Sequence, residues 1–125
     1  MAHRISVWQL RRLFNFSKYW EKVQSGQFTA RIAKNTHPTR PEANEPLCTW
    51  TQTLLYLDEA DSEVARVHQY LRPDGTLGGH GYPDPKRINI SGVIYAAKMP
   101  PKNFAARLVF RCSEWLNGIR YKLFG

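Results

Sequence analysis

Nine residues, Glu63 to Leu71 (EVARVHQYL), alternate in character and limit what this chain can become. Val64, Arg66, His68 and Tyr70 take one set of positions; Ala65, Val67, Gln69 and Leu71 take the other. Successive side chains of a strand point to opposite sides of a sheet, so the pattern predicts a strand with one plainly apolar side. A second run, Thr49 to Leu57 (TWTQTLLYL), is rich in Thr, aromatic and aliphatic residues and reads as another strand. The acidic turn Asp58-Glu59-Ala60-Asp61-Ser62 between the two makes a hairpin the natural pairing. Further on, Arg87 to Ile90 and Val93 to Ala97 flank Ser91-Gly92, which suits a two-residue hairpin turn. The expectation is a four-stranded, mostly antiparallel meander.

Two amphipathic segments complete the expected fold. Ser6 to Ser25 reads as a helix, with Ser6 and Gln9 placed for a capping box and Gly26 for a stop. At about 100° per residue, Leu10, Leu13, Phe14, Phe16, Trp20 and Val23 share one broad side. Arg4, Arg11, Lys18 and Lys22 gather opposite, with Trp8 and Tyr19 at the border, and Asn15 or Ser17 is where the helix would divide. After Pro100-Pro101, the residues Phe104, Leu108, Cys112, Trp115, Leu116, Ile119 and Leu123 follow the spacing of a second buried helix face. Such helices must cover one sheet face. Residues 1–125 are therefore expected to form a single α+β domain of two layers, with an N-terminal helix, a four-stranded mostly antiparallel sheet and a C-terminal helix.

Composition supports a packed core. Of 125 residues, 42% are apolar and sixteen are aromatic, which excludes a disordered chain. No apolar run nears the roughly 18 residues of a membrane span, and the first residues lack a secretory apolar stretch, so a cytoplasmic protein is expected. Cys48 and Cys112 are too few for a disulfide scaffold and are expected to be buried as small hydrophobes. His3, His37, His68 and His80 are widely spaced, and no metal or other cofactor is expected.

Two stretches read as loops. Residues 34–47 (KNTHPTRPEANEPL) hold three prolines and form a connection. Leu71 to Arg87 (LRPDGTLGGHGYPDPKR) opens with turn chemistry and then sets His80 among Gly78, Gly79 and Gly81. Glycines let backbone approach a ligand, and exposed N–H groups there hold anions. The spacing is not that of a phosphate-binding GxxxxGK[ST] loop, which excludes nucleotide binding by that mechanism.

Charge bounds the partner. Eighteen Lys and Arg face ten Asp and Glu, net +8. Residues 1–40 carry eight bases and one acid, whereas residues 41–65 carry six acids and no base. A field of one sign attracts polyanions, unless the acidic block folds over the basic arm and neutralises it. The leading expectation is a non-enzymatic domain that contacts the phosphates of RNA or DNA. Its candidate residues are Arg4, Arg11, Lys18 and Lys22 on the first helix and Arg72, Lys86 and Arg87 at the glycine-proline loop. His80 and Tyr82 would touch sugar or base, and Trp8 and Tyr19 would stack on unpaired bases. Two other classes fit the same composition. One is a subunit or adaptor that docks on another protein. The other is a metal-independent ribonuclease, with His68, His80, Tyr82, Arg66, Arg72, Lys86 and Arg87 as base, acid and cations.

Overall fold

The computed structural model describes residues 2–36, 44–79 and 81–98. Its elements are β1 (His3–Ile5), α1 (Val7–Ser17), α2 (Tyr19–Gln24), β2 (Thr29–Thr36), β3 (Trp50–Leu57), β4 (Glu63–Leu71), β5 (Asp84–Ile90) and β6 (Val93–Ala97). All six strands join one sheet, ordered β1-β6-β5-β4-β3-β2. Neighbours from β2 to β6 pair antiparallel, while β1 lies parallel to β6. Among the described residues the architecture is mostly sheet, six-stranded and mixed, with two short helices. That corrects the expected four-stranded meander between N- and C-terminal helices; the segment read as the second helix lies outside the described residues. Among the described residues no helix is long and apolar enough to cross a membrane.

Local chemistry accounts for most of the element boundaries. β4 spans the alternating run, and Ser91 and Gly92 both have positive φ (52° and 83°), as a type I′ hairpin turn requires. β5 begins at Asp84, earlier than the pattern suggested. Pro85 is accommodated because the register against β4 shifts between Arg66 and Val67, and proline enters a sheet at such bulges. β1 and β2 were not anticipated. β1 has three residues and a partner at Tyr95–Ala97, so it leaves no local pattern. β2 (TARIAKNT) takes in Lys34, Asn35 and Thr36, which had read as loop. It is an edge strand with exposed side chains, including Ile32 at 55%, and edge strands carry weak amphipathic signals.

Ser6 caps α1 as expected. Its Oγ accepts from the Gln9 N–H at 3.1 Å, and Gln9 Oε1 accepts from the Ser6 N–H at 3.0 Å. The single long helix does not form, because Lys18 adopts a left-handed conformation (φ 62°) between α1 and α2. Ser17 Oγ donates to the Phe14 carbonyl at 2.8 Å, which takes a helical acceptor at the break. The chain turns there, and Phe16, expected inside, is 85% exposed. Cys48 is likewise exposed rather than buried, and Cys112 lies outside the described residues.

One face of the sheet carries the core. Leu54 and Tyr56 on β3 oppose Val67 and Ala65 on β4, and Ala65 opposes Ile88 on β5. Leu10 and Phe14 of α1 close over these residues, with Trp20 and Val23 of α2 at the margin. Phe14 and Tyr56 meet at a ring separation of 6.1 Å. Leu10 is fully buried. Truncating a side chain so enclosed removes its transfer energy and leaves a cavity. Leu10→Ala is expected to lower unfolding stability by about 3 kcal/mol, read as an earlier urea midpoint with an unchanged slope.

Candidate functional site

The face opposite the core is built by the same register. On β1, Arg4 is aligned with Ala96 of β6, and Ala96 with Arg87 of β5. Arg87 is aligned with Arg66 of β4, Arg66 with Leu55 of β3, and Leu55 with Arg31 of β2. These positions alternate with the core residues, so they share the outer face. One row across all six strands thus presents four arginines, each exposed. Adjacent strands lie roughly 4.8 Å apart, so five intervals carry the row about 24 Å. Lys34 joins the same face beside Thr53, in the next row. Among the described residues Arg4, Arg31, Lys34 and Arg87 form no ion pair, whereas Arg66 Nε meets Glu63 at 3.3 Å. An exposed pair of that kind contributes at most about 1 kcal/mol and yields to a competing anion. Arg66 and Arg87 stand directly opposite one another, where like charges oppose folding. The sheet retains a repulsion that a bound anion would relieve.

Of the residues singled out for nucleic-acid binding, Arg4 and Arg87 belong to this row, as does Arg66 from the ribonuclease reading; Arg4 sits on β1 and not on the first helix. The others are distributed elsewhere. Arg11 Nε reaches Asp84 at 2.9 Å with its guanidinium 4.9 Å from the Trp8 ring centre. Lys18 is exposed at the break between helices, and Lys22 lies over the rings of Tyr19 and Phe28. Lys86 shares Asp84 with Arg11, at 2.9 Å. Tyr82 packs edge-on against Trp20, 4.9 Å between ring centres. Arg72 Nε meets the Glu45 carboxylate at 2.8 Å, and His80 lies outside the described residues. The expected four-cation helical stripe does not exist as one surface. Arg31 and Lys34 are not among the sequence candidates, because the outward positions of TARIAKNT become visible only once it is known to be a strand.

Among the described residues the acids of this segment do not lie over the arginine row as a block; Glu42 lies outside the described residues. Asp58 closes the β3–β4 turn, accepting from the N–H groups of Ala60 and Ser62. Glu59 takes the Gln27 amide. Glu45 leaves the group altogether and docks in the glycine loop, where it accepts from the Gly79 N–H and from Arg72. These bonds hold the Glu45 carboxyl below its ordinary pKa. The loop does hold an anion on its backbone, and that anion is the chain's own carboxylate. Gly78 leaves room for this contact, since a Cβ there would meet the Glu45 carboxylate and push it aside. Gly78→Ala is expected to displace the Glu45 carboxylate from Arg72 and the Gly79 N–H, seen as a slightly lowered thermal midpoint.

His68 and Asp84 are aligned across β4 and β5. Burial lowers the His68 pKa, the Lys86 charge lowers it further, and Asp84 offsets part of the effect. Burial pushes the Asp84 carboxyl up, but Lys86 and Arg11 outweigh it and keep the pKa below the ordinary aspartate value. A histidine that holds its proton less well when folded favours the folded state above its ordinary value of 6.5. That contribution is lost as pH falls below 6.5, and the loss is complete once pH passes below the folded value. Urea midpoints at pH 7.5 and 5.5 are expected to fall on acidification, with a smaller difference in His68→Gln.

Compared with known proteins, the chain matches no family model, no curated protein and no solved structure. The class that fold and site define is thus a six-stranded mixed sheet with helices on one face and a cationic row on the other.

Proposed function

We propose that this protein binds nucleic acid through phosphate contacts on the outer sheet face. The observation that carries the reading is the register that aligns Arg4, Arg87, Arg66 and Arg31 in one exposed row. Guanidinium groups hold phosphate oxygens in a bidentate fork. A row of them across a sheet offers a polyanion several contacts at once, each releasing condensed counterions. The cations at the helix and loop contribute less: Arg11, Arg72 and Lys86 are held by carboxylates more enclosed than Glu63, the partner of Arg66. Lys18 and Lys22 belong to the helical layer and make a separate, smaller patch.

Four phosphate contacts predict a plot of log affinity against log salt with a slope of about −3. In mobility-shift titrations with mixed RNA and DNA, Arg66→Ala/Arg87→Ala is expected to halve that slope. Lys18→Ala/Lys22→Ala is expected to leave it unchanged. No retardation of either nucleic acid at low salt removes the proposal, and a slope lost only with the lysine pair transfers the interface to the helical layer. RNA shortened in the presence of chelator would replace simple binding by cleavage.

A further inference from the structure

Resting on that reading, we infer that the outer face takes single-stranded nucleic acid, its phosphates on the arginine row and its bases on the rings of His68 and Tyr70. Along β4, Arg66, His68 and Tyr70 occupy successive outward positions, roughly 6.6 Å apart. The two rings follow the row directly on the same face, edge to face with 5.1 Å between centres. Both are half-buried, hence fixed in place and still in contact with solvent. Bases stack on such rings without regard to sequence, provided they are unpaired.

The charges around the row set the direction in which a strand lies. Beyond Arg66 on one side is the β3–β4 turn with Asp58, Glu59 and Asp61, which repels phosphate. On the other side Thr53, His68 and Tyr70 carry no charge of their own, since burial and Lys86 keep His68 toward its neutral form, and Lys34 beside Thr53 adds one further cation at the edge. Asp84, aligned with His68, is neutralised by Arg11 and Lys86. Phosphates therefore follow the row and bases lie toward Tyr70. A duplex meets this face poorly. Paired bases offer the rings nothing to stack on.

The test is fluorescence anisotropy of the 125-residue chain with one labelled oligonucleotide, presented alone and annealed to its complement. Single strand is expected to bind at least about tenfold tighter than duplex, and Tyr70→Ala to weaken single-strand binding about 5- to 50-fold. The salt slope should stay the same in that variant, because no phosphate contact is removed. Tyr70→Phe should retain affinity, and Tyr70→Leu, which keeps apolar bulk, reports the loss of stacking if the alanine variant does not fold. Equal binding of single strand and duplex, both dependent on Arg66 and Arg87, overturns this inference and leaves the phosphate reading standing. Unchanged affinity in folded Tyr70→Leu overturns it as well. Absence of binding to either probe removes both.

Discussion

A sheet has two faces, and here two helices of eleven and six residues bury one of them. The packing of Leu10 and Phe14 onto Leu54, Tyr56, Val67 and Ile88 is the interaction on which the rest depends. It fixes which set of alternating residues points inward. By elimination it fixes the outward set, since a shift of one residue would exchange the two. The arginine row is thus a consequence of the core: the same register that opposes Ala65 to Ile88 opposes Arg66 to Arg87. Burial of apolar surface and display of charge are settled in one step.

How the charges are spent divides the molecule further. Acids concentrated in the middle of the sequence separate in the fold. Glu45 is held at the glycine loop, Asp58 closes a turn and Glu63 meets Arg66. With Asp84 holding Arg11 and Lys86, the cations near the helices and loop are largely committed to internal partners. Those on the outer sheet face are less so. Among the described residues the arginine row is not cancelled by these acids, because Glu45, Asp58 and Glu59 are bonded in loops and turns and Glu63 alone reaches the row.

Residues whose neighbours in sequence share their fate were legible in advance. The alternation of β4, the Ser6–Gln9 box and the positive φ turn at Ser91-Gly92 are local, and local chemistry reveals them. β1 and β2 were not legible, because pairing of edge strands is settled by partners far along the chain. That is why four strands were expected where six exist. The helix break at Lys18 turns on one left-handed residue that is not glycine, a choice that propensity alone does not select. Of the candidate site, Arg4 and Arg87 were marked for their charge, but their alignment with Arg66 and Arg31 is a property of register across six strands. No single stretch of sequence contains it.

The parallel pairing of β1 with β6 also bears on how the molecule is made. His3 waits for Tyr95, about ninety positions later, before its ladder closes. At ribosomal rates of about 5–20 residues per second, several seconds separate the emergence of the two strands. During that interval β1 has no strand to pair with, and the sheet is completed by the oldest and the youngest of its strands meeting last.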